Sequence, residues 1–176
     1  MKYRKLISFD FDATLFHTAL EDEGKTIWKE KTGEKWPYVG WWSKPETLDT
    51  TIFDTPLNRP VYNEYLKAVS DSDNFVILAT GRIERLRPQV EAILNKNNLS
   101  FDGVFLKRGP GDTLYFKTKL FETFINCAAF SKSEYSATAL FCTCLNCCKK
   151  SKVAKSTVKA SNEELLYEMK SLYSIS

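Results

Sequence analysis

The chain has 176 residues, 43% hydrophobic and 27% charged, which is typical of one globular domain. With 7 Gly, 6 Pro and 14% aromatic residues, the composition excludes collagen-like, low-complexity and wholly disordered chains. The net charge of +3 neither requires nor excludes a polyanionic partner. No apolar run approaches the ~18 residues of a membrane-spanning helix. All 5 Cys follow residue 126. We therefore expect a soluble intracellular protein, cytoplasmic or nuclear, with reduced thiols.

Short apolar runs alternate with helical patterns over residues 1–126, and this alternation predicts an α/β fold. The expected architecture is a three-layer sandwich with a mainly parallel sheet. The predicted strands are the apolar residues of 6–11, the continuous run Phe75–Ala79, and Val104–Leu106. A helix is predicted after the second strand, with Pro88 in its first turn and one apolar face formed by Leu86, Val90, Ile93 and Leu94.

The segment of about residues 19–72 is too long for a simple connection, so we expect a short insertion after the first strand. It holds all 4 Trp, at positions 28, 36, 41 and 42, and a helical pattern near Val61–Val69. Residues 127–176 are a divergent tail rich in Cys, Lys and Ser, which we expect to be partly disordered, with a candidate helix at Asn162–Leu172. The tail has three open interpretations: a natural degenerate end, the product of a disrupted coding frame, or a separately evolved segment.

The segment Asp10-Phe-Asp-Ala-Thr14 follows an apolar strand. Two carboxylates one residue apart point to the same side of an extended chain, and such like charges raise each other's pKa unless a cation or donor joins them. The carboxyl ends of strands are where ligands bind in open parallel sheets. An ordinary strand exit built from one Asp and one Thr is the structural alternative.

The segment Leu78-Ala-Thr80-Gly-Arg82 closes the second predicted strand. A hydroxyl at a strand end, followed by Gly81 and a helix start, can hold a phosphate oxygen. A plain Thr-Gly turn is the alternative, and Arg82 fits a carboxylate partner as well as a substrate contact.

These motifs together resemble the haloacid dehalogenase (HAD) superfamily of phosphohydrolases, and more narrowly its Swiss Army Knife RNA repair-like branch. The resemblance covers residues 5–125. The further matching segments are Leu15-Phe16-x-Thr18, Gly40-Trp-Trp-Ser-Lys-Pro45 with Leu48, Phe101-Asp102, Leu106-Lys107 and Thr113-Leu-x-Phe-Lys117.

The resemblance implies a magnesium-dependent phosphohydrolase. Asp10 would be the nucleophile that forms an aspartyl-phosphate, and Asp12 the general acid and base. Mg²⁺ would be held by the Asp10 carboxylate and the Asp12 main-chain carbonyl. Thr80 and Gly81 would bind phosphate, while Thr14 would brace the strand exit. The implied substrate is a phosphorylated RNA or DNA end or a nucleotide, with no membrane partner.

The family's lysine, at the start of the helix after the third strand, is best matched by Lys117, with Lys107 and Lys119 as rivals. The residues that would form the apolar face of that helix are Leu120, Phe121, Phe124 and Ile125. Position 13 is Ala where the superfamily often has Gly, which costs little only if φ there is negative.

The family's fourth acidic motif is missing. The apolar stretch Ser136–Asn146 has no carboxylate, and Asn146 offers only a neutral oxygen. A weakened or inactive member that binds phosphorylated ligand or RNA is therefore the second reading, and an interaction protein that keeps only the scaffold is the third. Zinc at Cys142, Cys144, Cys147 and Cys148, or a lipidated basic anchor beside Lys149, are further alternatives for the tail.

The insertion begins where this superfamily places caps over the site. Trp41 and Trp42 could stack on a base and Lys44 could meet a phosphate, or the tryptophans could form a small hydrophobic cluster. His17 could line the pocket, but a solvated loop position is the simpler interpretation.

Overall fold

The structure is a computed structural model that describes residues 5–125, and Ile125 only in its backbone. Its three strands are β1 (Lys5–Phe9), β2 (Asn74–Ile83) and β3 (Gly103–Lys107). Its four α-helices are α1 (Glu21–Thr32), α2 (Arg59–Ser70), α3 (Arg87–Lys96) and α4 (Thr113–Ile125). Two short 3-10 helices span Pro45–Leu48 and Glu84–Leu86. The predicted α/β class is confirmed.

The three strands form one parallel sheet in the order β1-β2-β3. Because parallel neighbours need crossover connections, the helices lie on the faces of this sheet. Alternate residues of β2 point to opposite faces: Val76 and Leu78 face one core, and Ile77 and Ala79 the other.

Helices α2 and α3 cover the first face and α4 covers the second, which gives three layers within residues 5–125. On the first face, Tyr65 of α2 packs edge-on against Phe9, with ring centroids 5.8 Å apart. On the second, the Phe124 ring of α4 lies 5.5 Å from Phe105 of β3. The helix α2 lies within the predicted insertion range 19–72, but its buried residues Tyr65 and Ala68 belong to the main hydrophobic core beside the sheet.

The helix α1 is fixed by an unusually close contact. Gly24 has no side chain, and a Cβ at that position would lie 2.1 Å from the Trp41 ring. Trp41 is 2% exposed, and its indole N–H donates to the Ala19 carbonyl oxygen at 3.2 Å. The insertion therefore has a small aromatic core of its own, in which Trp41 also packs against Trp36 and Phe53.

The predictions for the tail, including Ser136–Asn146, its cysteines and the helix Asn162–Leu172, concern residues outside the described range. Among the helices of residues 5–125, none has the length and apolarity needed to cross a bilayer.

Candidate active site

The polypeptide turns sharply where β1 ends, and this turn presents both aspartates. The Asp10 carbonyl accepts the Leu15 N–H at 3.2 Å, and the Phe11 carbonyl accepts the Phe16 N–H at 3.0 Å. The rings of Phe11 and Phe16 are fully buried and 4.8 Å apart. The buried aromatic pair anchors the loop that carries Asp12.

Asp10 and Lys117 form an ion pair at this edge of the sheet. The Lys117 Nζ lies 2.6 Å from Asp10 Oδ2, and the two side chains are only 15% and 10% exposed. The second carboxylate oxygen accepts the Phe11 N–H at 2.8 Å. Burial raises the pKa of the Asp10 carboxyl, and the neighbouring Lys117 opposes that rise without cancelling it.

The rival lysines lie elsewhere. Lys107 donates to the Gly111 carbonyl at 2.7 Å, and Lys119 pairs with Glu122 at 2.7 Å on the exposed side of α4. Of these three candidates, Lys117 is the one that meets Asp10.

Asp12 is held by Arg82 from the end of β2. The Arg82 Nε lies 3.0 Å from Asp12 Oδ2, and Nη2 lies 2.8 Å from Oδ1, a bidentate contact. Arg82 also donates to the Trp42 carbonyl at 3.1 Å and the Thr47 hydroxyl at 2.6 Å. Its side chain is 1% exposed, which fits a partner of Asp12 rather than a substrate contact.

The two predicted phosphate ligands have different surroundings. Thr80 is 0% exposed, and its hydroxyl oxygen accepts the Arg82 backbone N–H at 3.1 Å. A phosphate oxygen can reach it only if the covering residues move. At Gly81 a Cβ would lie 2.9 Å from Thr113, so this glycine allows the start of α4 to approach β2. The strand was expected to end at Thr80, but β2 continues to Ile83, with an irregular register against β3 after Thr80.

The expectations for residues 13 and 14 need correction. Ala13 has φ of 51°, so the condition under which Ala replaces Gly at little cost is not met. Thr14 is buried, but its hydroxyl has no hydrogen-bond partner within the described residues. The Thr18 hydroxyl, at 3.3 Å from the Ala13 N–H, braces the turn instead.

The adjacent residues Trp41 and Trp42 have different surroundings. Trp41 belongs to the core of the insertion, and at 2% exposure its ring leaves no open face for a base. Trp42 is 37% exposed, and its ring lies over the Arg82 guanidinium at 5.0 Å. Lys44 lies 4.9 Å from the Tyr38 ring, and His17 is exposed.

Sequence patterns did not indicate Thr47, and they gave Thr113 only as part of the family segment Thr113-Leu-x-Phe-Lys117, with no contact assigned to it. Both act across long sequence separations, Thr47 on Arg82 and Thr113 against Gly81, and neither contact has a local signal.

The oxygen atoms near Asp10 meet only part of the ligand requirement of a hard cation such as Mg²⁺. Carboxylate and carbonyl oxygens are what Mg²⁺ prefers. Among residues 5–125, however, no three His, Cys, Asp or Glu side chains cluster as a metal site. Both Asp12 oxygens also face Arg82. The residues present fit an ion that retains several waters and uses one carboxylate.

A parallel α/β sheet with an aspartate pair after its first strand, and a lysine from a later helix beside it, defines an HAD-like protein. The family model "HAD domain family 1 in Swiss Army Knife RNA repair proteins" matches residues 23–134, more than half of the chain. The chain belongs to that family. The match begins after Asp10 and Asp12.

A search of curated proteins gave no match. A solved structure titled "Structure of the Pnkp1/Rnl/Hen1 RNA repair complex" resembles this chain with a TM-score of 0.48 and 20% identity. The likeness covers 68% of this chain and 32% of that chain. This chain thus spans about a third of the length of that relative.

Proposed function

We propose that this chain is a phosphohydrolase in which Asp10 is the nucleophile. The observation that supports this most is the buried contact between Asp10 and Lys117 at 2.6 Å. These residues come from the two ends of the described chain and meet beside Asp12, at the carboxyl edge of a parallel sheet. A purely structural ion pair has no need of that position, whereas a phosphoryl-transfer site needs both an attacking oxygen and a cation there.

In the proposed reaction, the Asp10 carboxylate forms a bond to phosphorus while the ester oxygen–phosphorus bond breaks. Asp12 donates a proton to the leaving oxygen. It then accepts a proton from the water that attacks the aspartyl-phosphate, which releases inorganic phosphate and restores Asp10. Before donating, one Asp12 oxygen must give up its hydrogen bond from the Arg82 guanidinium and carry the proton instead. Arg82 would thus orient Asp12 but compete with its proton transfer.

Lys117 would balance the negative charge that gathers on the transferring phosphoryl group. It is already within hydrogen-bond distance of the attacking carboxylate, so little reorganisation is needed. The partial burial of both groups strengthens this interaction relative to water.

Mg²⁺ would be held by the Asp10 carboxylate and the Asp12 main-chain carbonyl, and when bound it would screen the repulsion between carboxylate and phosphate. With one side-chain carboxylate, such a site would bind the ion weakly. We expect saturation to require high magnesium concentrations.

Phosphorylated nucleic-acid ends are the proposed substrate class, and the support is membership of a family found in RNA repair proteins. The mostly buried Asp10 agrees with a site that accepts a protruding terminal phosphate rather than a phosphodiester within a strand.

The test is turnover of an aryl phosphate and of a 3′- or 5′-phosphorylated oligonucleotide with increasing Mg²⁺. Asp10→Asn and Lys117→Met should abolish turnover. The matched control Lys119→Met, two residues further on α4 and 54% exposed, should keep it. Wild-type rates in Asp10→Asn, or in protein treated with a chelator, would contradict the proposal.

A further inference from the structure

The insertion contains an open pocket of about 300 Å³ that belongs to no part of the catalytic arrangement. Its lining combines three lysines with two aromatic rings: Lys25, Lys29, Lys35, Trp36 and Tyr38. Lys25 and Lys29 are one turn apart on α1, and the other three come from the loop that follows that helix. This composition differs from an ordinary solvated helix face, because the charges surround aromatic surface.

The three ammonium groups leave the pocket positively charged. Lys25 pairs with Glu21 at 2.7 Å, but both side chains are about 40% exposed (39% and 42%), so this pair contributes little and opens readily. Neither Lys29 nor Lys35, both exposed, has an ion-pair partner within residues 5–125. Like charges that line one pocket repel each other, and an anion relieves that repulsion.

The aromatic rings are held in place before any ligand arrives. Trp36 packs against Trp28 at 5.1 Å and against Trp41 at 4.7 Å, and its indole N–H donates to the Gly40 carbonyl at 3.0 Å. Tyr38 packs edge-on against Trp36 at 5.2 Å and remains 40% exposed. A rigid, exposed ring loses little entropy when a flat group stacks on it.

The Tyr38 hydroxyl donates to Glu46 at 2.6 Å, and Lys44 lies over the same ring. The Glu46 carboxylate lies at the edge of the pocket and is offset by Lys44. The net charge around the two rings therefore stays positive.

The pocket is connected to the candidate active site by a short piece of chain. Tyr38 and Trp42 are four residues apart, a span of at most about 14 Å for extended backbone. The Trp42 carbonyl accepts from Arg82, which holds Asp12. A strand whose phosphorylated end lies at Asp10 would reach this pocket within a few nucleotides.

We propose that the pocket binds a single-stranded nucleic acid, with phosphates on Lys29 and Lys35 and a base against Tyr38 or Trp36. This rests on the proposed function, since it assigns the pocket to the strand that carries the terminal phosphate. Lysines interleaved with aromatic rings are how proteins bind single strands without reading sequence. An acidic peptide would use the lysines but gain little from the exposed Tyr38 ring.

The test uses the full chain and a fluorescein-labelled decamer of oligouridylate with a 3′-phosphate, followed by anisotropy at several salt concentrations. A deoxythymidylate decamer distinguishes RNA from DNA. The variant Lys29→Gln with Lys35→Gln is compared with Lys31→Gln with Lys96→Gln, which removes the same charge from exposed sites outside the pocket. Each lost phosphate contact should reduce the magnitude of the negative slope of log K against log salt by about 0.7. The slope of the pocket variant should therefore be smaller in magnitude by about 1.4. The control variant should keep the wild-type slope.

Tyr38 provides an uncharged arm of the same experiment. Tyr38→Ala should weaken binding about 5- to 160-fold, the loss expected for one stacked base. Tyr38→Phe, which keeps the ring and loses only the bond to Glu46, should bind as the wild type does. Melting temperatures of all variants show whether they fold.

Several results would overturn the pocket assignment: equal losses in both lysine pairs, equal binding by Tyr38→Ala and Tyr38→Phe, uridine monophosphate binding as tightly as the decamer, or equal competition by an oligoglutamate peptide. Binding is measured without turnover, so failure of the proposed function is a separate outcome. Absence of aryl-phosphate hydrolysis by the wild type would contradict the catalytic assignment. The effects of the lysine and tyrosine substitutions on binding would still decide whether the pocket binds a single strand.

Discussion

Replacing Arg82 by Met should destabilise the protein strongly, because one side chain joins three parts of the fold. Four of the five guanidinium N–H groups that an arginine carries are engaged, by Asp12, the Trp42 carbonyl and the Thr47 hydroxyl. The side chain is 1% exposed and Asp12 is 16% exposed, so solvent screens the pair little. Removing one partner of such a buried pair costs about 3 to 5 kcal/mol, since the remaining charge stays uncompensated. This is a large share of the roughly 5 to 15 kcal/mol that stabilises a typical domain.

The assay is urea denaturation followed by two signals. All 4 Trp lie in the insertion, so tryptophan fluorescence reports on it, while far-ultraviolet circular dichroism reports on all helices. The wild type should show coincident transitions. In Arg82→Met the Trp42 carbonyl and the Thr47 hydroxyl lose their hydrogen bonds to β2, and the fluorescence transition should occur at lower urea than the dichroism transition.

Two variants control for simpler explanations. Arg85→Met removes an exposed arginine that, within residues 5–125, donates only to the Ser43 carbonyl, and it should cost less than about 1 kcal/mol. Combining Asp12→Asn with Arg82→Met should cost less than the sum of the single changes, because the two residues interact directly. An Arg82→Met loss below about 1 kcal/mol, with coincident transitions, would refute this reasoning.

Three further predictions concern backbone space and burial. Ala13→Gly should raise the free energy of unfolding by about 1 kcal/mol, because φ at this position is 51°; an unchanged urea midpoint would contradict this. Gly24→Ala should lower the melting temperature despite its better helix propensity, since its Cβ would meet Trp41, whereas Thr26→Ala on the exposed side of α1 should not. In metal-free buffer, the stability of the wild type should fall relative to that of Asp10→Asn as the pH rises from 4 to 7. Burial raises the pKa of folded Asp10 above 3.8, so wild-type stability falls as pH rises above 3.8 and through the folded pKa. A stability difference between the two proteins that does not change with pH would contradict the assignment.

Local patterns were sufficient to predict the sheet and the helices α2 and α3, whereas α4 was expected from the family resemblance. The run Phe75–Ala79 predicted the central strand, and the spacing of Val90, Ile93 and Leu94 predicted α3, because burial of one face follows directly from periodicity. The expectation that Lys117 is the family lysine came from a resemblance, and the structure brings it to Asp10.

Contacts between distant segments could not be predicted in this way. Trp41 and Trp42 are adjacent and chemically identical, yet one is 2% and the other 37% exposed. The difference depends on Gly24, whose missing side chain makes room for the Trp41 ring. Another contact of this kind is the hydrogen bond from Arg82 to the Thr47 hydroxyl, which depends on the path of the insertion. Such pairings are fixed by tertiary packing and have no periodic signal.

If Asp10 is the nucleophile, it becomes covalently phosphorylated during turnover, and acid quenching within a single turnover detects that intermediate. The protein is mixed with excess magnesium and a ³²P-labelled aryl phosphate, quenched, and digested. We expect label on the peptide that contains Asp10, released by hydroxylamine as expected for an acyl phosphate, and no label in Asp10→Asn. Steady turnover without any labelled peptide, or equal labelling of Asp10→Asn, would contradict this role of Asp10.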